Sequence, residues 1–276
     1  MPTRRVEIGD GVAVGGGEPL LLIAGPDMLE SEAHALRLAR ALRDIAAERR
    51  CPLVFKASFD KANRTSIETA RGPGLEAGLR ILGRIKSETR VLVTTDFHLP
   101  DQAEAVARVA DMLQVPAFLS RQTDMLVAAG RTGRAVNVKK GQFLAPWDVG
   151  PLVNKLLASG CDRVLVTERG STFGYNNLVV DFRSLPRMRE SGVPVCFDAT
   201  HSVQLPGAQG ESSGGERQYV AALARAAVAV GVDALFFEVH DDPERAPCDG
   251  PVQIALDAFP GLLDSLLQLH HAAGQR

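Results

Sequence analysis

The chain has 276 residues, 45% of them hydrophobic and 23% charged, with a formal net charge of −2. That balance is ordinary for a folded soluble protein, and it excludes nucleic acid or an anionic membrane as a general electrostatic partner. No run approaches the roughly 18 apolar residues of a membrane helix, so any affinity for anions has to be local.

From the N-terminus, RVEIGDGVAVGG reads as a short hairpin within residues 1–17, placed to close the floor of a barrel. The start, MPTRRVEIGDG, has two arginines and no apolar stretch behind them, so no secretory signal is expected. Apolar runs then recur at 19–25, 52–58, 90–96, 112–117, 135–140, 162–168, 194–200 and 234–240. Most are nearly continuous, as parallel strands covered on both faces require. Between them lie amphipathic patterns such as 31–48 and 217–231, the second ending on a glycine, a usual helix stop. Eight strands with interleaved helices predict an α/β protein, a (β/α)8 TIM barrel forming one domain over 1–276. A doubly wound open sheet is the alternative, but AGPDMLES has one glycine where a nucleotide-binding loop would have several. Four scattered cysteines, Cys51, Cys161, Cys196 and Cys248, form no CxxC pair and read as free thiols of a reducing cytoplasm.

The carboxyl ends of the predicted strands carry Asp27, Lys56, Ser58, Asp96, His98, Gln114, Lys139, Lys140, Gln142, Glu168, Arg169, Asp198, His201, Glu238 and His240. Catalytic groups gather at that face of such barrels. The segment KASFDKANRTS (56–66) leaves a buried strand and places Lys56, Lys61 and Arg64 together, the donors that phosphate and carboxylate groups bind. Ser58, Asn63, Thr65 and Ser66 add hydrogen bonds suited to sugar hydroxyls. With Arg121, Lys139 and Arg169 the set has six cations, whose mutual repulsion a polyanionic ligand would neutralise. Solvated loop cations are the plainer reading.

A second set, Asp27, His201, Glu238 and Asp249, lies on strands one, seven and eight or just beyond, which a closed barrel brings together. One imidazole and three carboxylates suit an oxygen-preferring divalent ion such as manganese, iron or magnesium. A simple His201–Glu238 hydrogen bond is the alternative. Cys248 has no histidine placed to activate it and reads as a packed thiol. SSGGERQ (212–218) reads as a flexible loop running into a helix N-terminus, able to close over anions.

These motifs resemble the 3-deoxy-D-manno-octulosonate 8-phosphate synthase family, also called 2-dehydro-3-deoxyphosphooctonate aldolases. KASFDKANRTS (56–66), RGPGLE (71–76), LQVPAFLSRQTD (113–124), NVKKGQF (137–143), ERGSTFGYNNLVVD (168–181), FDATHSVQ (197–204), FFEVH (236–240) and CDGP (248–251) carry the resemblance, which runs from about residue 5 to 265. It implies a cytoplasmic homotetrameric barrel that condenses phosphoenolpyruvate with arabinose 5-phosphate, for lipopolysaccharide assembly. By matching motif, Lys61, Lys139 and Ser58 resemble holders of the phosphoenolpyruvate carboxylate, with Lys56 beside them. Lys139, Arg169, His98 and Gln114 resemble the groups around its phosphate and reacting carbons. Asn63 and Asp96 resemble readers of the pentose hydroxyls. Arg64 and Thr65 resemble the pentose-phosphate clamp, with Arg121 reaching in from a neighbouring subunit and Gln142 counted among the substrate-binding groups.

The chain departs from the pattern at Asp27, where the family has Cys in a metal-requiring class or Asn in a metal-free one. SVQLPGAQGESSGG (202–215) resembles the first class and Cys248 before Asp249 the second. The expectation is an oxygen-rich divalent site of manganese, iron, magnesium or zinc type, with a metal-free enzyme as the alternative. Two other readings are a sibling condensing phosphoenolpyruvate with erythrose 4-phosphate or an amino sugar, and a non-catalytic sugar-phosphate sensor. KANR and Asp96 speak against the sibling, and the retention of every cation speaks against the sensor.

Overall fold

A computed structural model describes residues 3–208 and 213–274. Eight parallel strands form a closed barrel: Leu21–Gly25, Leu53–Lys56, Leu92–Asp96, Met112–Val115, Ala135–Lys139, Val164–Glu168, Val195–Asp198 and Ala234–His240. The eighth strand pairs in parallel with both the seventh and the first, which closes the ring and removes every exposed edge. Every residue of these strands is buried, as their continuous apolar sequence requires.

The helices cover the outside. Helix α1, Glu32–Glu48, is capped by Ser31, whose hydroxyl accepts from the His34 amide at 3.2 Å, and it buries Ala35, Leu38, Ala39, Leu42 and Ala46 against the sheet. A second core fills the barrel interior, where Leu21, Ile23, Val54, Leu92, Met112, Ala135, Leu165, Cys196, Ala234 and Phe236 meet Val6, Ile8 and Val14 of the N-terminal hairpin. The hairpin, Val6–Gly9 paired with Val12–Val14, thus seals the amino-terminal mouth with apolar side chains. The charged residues of the strands stand at or near their carboxyl ends, at the other mouth.

Several strands stop earlier than the apolar runs. The fourth ends at Val115 because Pro116 has no amide to donate, and the second ends at Lys56, so Ala57 and Ser58 already belong to the connection. The seventh helix, Val220–Val230, begins after a single 3-10 turn at Arg217–Tyr219. All four cysteines are free and buried, and no helix among the described residues is long and apolar enough to cross a membrane.

Gly25 closes the first strand at a point where a Cβ would sit 1.9 Å from the Lys56 carbonyl oxygen. That contact is possible only without a side chain, and it sets the spacing between the first and second strands just below Asp27 and Lys56. Gly25→Ala is expected to lose about 1–3 kcal/mol in urea unfolding through overpacking, and an unchanged midpoint would contradict this account.

Candidate active site

Four cations enter the carboxyl mouth with carboxylates already beside them. The Lys56 ammonium is buried and donates to the Asp27 carbonyl at 3.2 Å and to Ser58 Oγ at 2.8 Å. It also stands 3.7 Å from Glu238 Oε1 and 4.0 Å from Asp96 Oδ1. Ser58 Oγ accepts a second ammonium, that of Lys61, at 3.0 Å, and Lys61 in turn forms a close ion pair with Asp27 Oδ1. Burial, then the charge of Lys61, lowers the Lys56 ammonium. Burial acts on Lys61 too, but Asp27 and Glu238 outweigh it and hold that ammonium well above its ordinary value. Burial alone would raise the Asp27 carboxyl, and Lys61 and Lys56 bring it below the usual range instead.

Across the mouth, Lys139 donates to Asp198 Oδ2 at 2.6 Å and lies 3.9 Å from the centroid of the Phe236 ring, a desolvated cation–π contact. Asp198 also takes the His201 amide at 3.0 Å and faces His201 Nδ1 at 2.8 Å. The hydrogen bonds therefore assign the ring proton to Nδ1 and leave the Nε2 lone pair 3.5 Å from Glu238 Oε1 and 3.8 Å from Asp249 Oδ2. Burial lowers the His201 imidazole to about 4, so the ring is neutral at pH 7. Arg169 donates to Gln204 Oε1 at 2.8 Å, and Gln204 donates to Asp249 Oδ1 at 3.0 Å, which ties that carboxylate to the same lattice.

The six-cation picture changes accordingly. Lys56, Lys61, Lys139 and Arg169 share the mouth with Asp27, Asp96, Asp198, Glu238 and Asp249, so repulsion among cations is already relieved without any ligand. An incoming anion has to exchange partners with these carboxylates rather than fill a purely positive void. What the mouth lacks is hydrogen-bond partners. Asp96 Oδ1, His98 Nδ1, Gln114 Oε1, Arg169 Nε and both Glu238 oxygens are buried with none. Each such group costs about 1–3 kcal/mol unless a ligand meets it.

Asp27, His201, Glu238 and Asp249 each offer a donor atom within 4.8 Å of the others, as a divalent ion requires. Three carboxylates and an imidazole lone pair face one another, an arrangement stable only with a cation or added protons between them. Burial first and Asp27 next push the Glu238 carboxyl well above its usual range, which favours its protonated form until such a cation arrives. The simple His201–Glu238 hydrogen bond is absent, because neither Glu238 oxygen has a partner. The oxygen-rich donor set of three carboxylates and one imidazole fits a divalent cation of the manganese, iron, magnesium or zinc type.

Other expected residues stand apart. Asn63 and Thr65 are exposed on the 56–66 connection, and Arg121 is exposed on the turn before the fourth helix. Arg64 is engaged by Cys248 Sγ at 2.7 Å and by the Pro247 carbonyl at 2.9 Å. Gln142 lines a cleft with Leu144, Glu168, Ser171 and Ser184. Lys140 is wholly buried and donates to the Gly141 and Leu144 carbonyls and Ser171 Oγ, so it braces the loop instead of facing the mouth. Cys248 is a packed thiol, pushed up by burial. In the 205–216 loop, residues 209–212 lie outside the described residues, while Gln204–Leu205 pairs with Gly214–Gly215. Asp198, Gln204 and Phe236 were given no role by the sequence reading. The Asp-x-x-His spacing of FDATH was the signal for the first, since i and i+3 meet in the turn Asp198–His201.

Asp96 accepts from His98 Nε2 at 3.0 Å. Burial would raise its carboxyl, but Lys56 and His98 hold it well below the ordinary value. A depressed carboxylate stabilises the fold above its unfolded pKa of about 3.9 and loses that contribution as pH falls through the folded value. Asp96→Asn is therefore expected to lose about 3 kcal/mol at pH 7 and to approach the parent protein at the acid end of a pH–stability series. A constant difference across the series would contradict the assignment.

Residues 4–273 match the family model described as the DAHP synthetase I family. The chain is 59% identical over 258 residues to the 2-dehydro-3-deoxyphosphooctonate aldolase of Syntrophotalea carbinolica, covering 94% of this chain and 93% of that protein. It is 57% identical over 264 residues to the protein of the same name from Citrifermentans bemidjiense, covering 96% of each. With the one from Geobacter sp. strain M21 it shares 55% over 273 residues, 99% of this chain and all of that protein. The barrel, its carboxyl-mouth lattice and this agreement along the whole chain lead to one conclusion: it belongs to the DAHP synthetase I family, among the 2-dehydro-3-deoxyphosphooctonate aldolases.

Proposed function

We infer that the chain condenses phosphoenolpyruvate with arabinose 5-phosphate and water to give 3-deoxy-D-manno-octulosonate 8-phosphate and inorganic phosphate. The observation that carries this is the convergence of Lys56, Lys61, Lys139 and Arg169 at the carboxyl mouth, with Arg169 Nε buried and without an acceptor. Phosphoenolpyruvate brings a carboxylate and a phosphate, and the pentose brings hydroxyls and a second phosphate. Lys61 and Lys139 receive the carboxylate, with Ser58 fixing the two ammoniums of Lys56 and Lys61 relative to each other. Arg169, through its free Nε, and Lys139 receive the phosphate, with His98 and Gln114 placed around it and the reacting carbons. Asn63 and Asp96 meet pentose hydroxyls, and Arg64 leaves Cys248 to join Thr65 on the pentose phosphate.

Carbon three of phosphoenolpyruvate attacks the aldehyde carbon and forms the new carbon–carbon bond. The water oxygen adds at carbon two, and the bond from carbon two to the phosphate oxygen then breaks, releasing phosphate. Holding both anions in attack geometry supplies about 7–11 kcal/mol of the barrier reduction, and the fixed ammoniums stabilise the charge that moves. Asp27, His201, Glu238 and Asp249 are the residues to hold a divalent ion, which would supply Lewis-acid polarisation and a positive charge beside the reacting oxygens. His201 keeps its proton on Nδ1 through Asp198, so its Nε2 stays available as a donor atom.

The loops after the fourth, fifth and sixth strands expose Phe118, Phe143, Trp147, Phe173 and Tyr175, the last at 99%. Exposed aromatics on neighbouring loops mark contact with another chain, and Arg121 stands among them. We read this face as the contact between copies of the chain in a homotetramer, through which Arg121 reaches a neighbour's site. Free cysteines and phosphorylated substrates are consistent with an enzyme working in a reducing cytoplasm.

Two outcomes are expected. Phosphate release requires both substrates, falls at least about 100-fold in Lys139→Met, and disappears after exhaustive chelation until a divalent ion is restored. Full activity in chelated protein that elemental analysis finds free of metal would remove the metal from the mechanism, and no phosphate release under any condition would favour a sensor. By light scattering the parent chain is expected at the mass of four copies. Trp147→Glu and Tyr175→Glu together should lower that mass and weaken pentose-phosphate binding, and a parent protein at the mass of one copy would overturn the assembly.

A further inference from the structure

Outside the mouth, one cluster has the same electrostatic deficit and no role in the condensation. His240, the last residue of the eighth strand, and His34, in the first turn of α1, are buried with their ring centroids 4.8 Å apart. Two carboxylates bracket the pair. Asp241 Oδ1 lies 2.9 Å from His34 Nε2 and 3.3 Å from His240 Nδ1, and Arg37 holds its other oxygen at 2.8 Å. On the opposite side Glu30 Oε1 lies 2.7 Å from His240 Nε2 and 3.7 Å from His34 Nδ1.

One acceptor in this cluster has no donor. Asp241 is an acceptor, so in the neutral ring His34 donates from Nε2 and presents Nδ1 as a lone pair. That lone pair is buried without a partner, on a side chain more than nine-tenths buried. It faces a carboxylate oxygen, so two acceptors look at each other. His240 donates from Nε2 to Glu30 while its Nδ1 accepts the Asp242 amide at 2.9 Å. Glu30, His34 and His240 each offer a donor atom within 4.8 Å of the others.

We propose that Glu30, His34 and His240 form a second divalent-metal site of the zinc class, oriented by Asp241 and independent of the quartet in the mouth. Two imidazoles, one carboxylate and an open fourth position are a usual zinc donor set. Binding needs no net proton loss from the rings. The His240 proton moves from Nε2 to Nδ1, and the ring turns from the Asp242 amide onto Asp241 Oδ1. Asp241 then accepts from both rings, the carboxylate–histidine–metal arrangement that fixes ligand orientation. Such an ion pins the start of α1 to the end of the eighth strand, three residues from Asp27 and two from Glu238.

The site goes beyond the proposed condensation, and its test does not read activity. The full chain, stripped of metal, is titrated with zinc by calorimetry and with cobalt by visible absorption. His201→Gln, which disables the mouth site, is expected to keep one ion per chain with the absorption of a nitrogen-ligated, low-coordinate cobalt centre. Adding His34→Gln should abolish that ion. Glu30→Gln, made on an accessible side chain so that folding is preserved, should weaken zinc at least tenfold in the His201→Gln background. No ion bound to His201→Gln, or unchanged zinc affinity after Glu30→Gln, overturns the proposal. A failure of phosphate release would leave these stoichiometries untouched and bears only on the condensation.

Discussion

Everything at the carboxyl mouth depends on burying ammonium groups without leaving any of them alone. A lone buried charge is prohibitive, while a buried pair with its remaining hydrogen bonds met is tolerated. Ser58 makes this possible on one side, because a single hydroxyl oxygen accepts both Lys56 and Lys61 and holds two like charges at a fixed separation. Asp27 and Glu238 then supply the opposing charge. On the other side Asp198 does the same for Lys139 and the His201 ring.

The barrel supplies the conditions this lattice needs. The hairpin closes the opposite mouth with Val6, Ile8 and Val14, so the lattice sits on an apolar floor and feels little solvent screening. Phe236 belongs to that interior core and also presents its ring to Lys139, so one side chain joins the packing to the electrostatics. Gly25 lets the first two strands approach closely enough for Asp27 and Lys56 to share partners. Stability and site geometry are therefore set by the same contacts, and alterations to either are felt by both.

The fold was legible because parallel strands leave unbroken apolar runs, and all eight were visible as such. Their ends were less so, since Pro116 and the turn at Ala57–Ser58 end pairing without ending the apolar pattern. The cations and the carboxylate quartet were legible from their position after each strand. Their pairing was not, because which carboxylate meets which ammonium depends on side-chain reach across the barrel. Lys140 and Gln142 illustrate the limit. They follow Lys139 directly, yet alternation along the strand and the turn after it point Lys140 into the loop and Gln142 into a separate cleft. Asp198 was visible as a residue and invisible as a partner, since its role lies in a contact with Lys139 from 59 positions away.

Asp27 is where the two halves of the mouth meet. Its carboxylate is held by Lys61 in the absence of any ligand, and it is also one of the three carboxylates grouped with His201. One carboxylate cannot serve a close ammonium and a divalent ion equally well, so the two compete for it. An anion that draws Lys61 away leaves Asp27 as a free acceptor and raises the affinity of the quartet for a cation. By linkage, a cation in the quartet releases Lys61 and raises the affinity of the mouth for that anion by the same factor. A cysteine thiolate or an asparagine amide at this position would alter that exchange, the thiolate by favouring softer ions and the amide by removing the charge that holds Lys61. With an ion in the quartet, the aspartate would make substrate charge and metal charge interdependent through a single side chain.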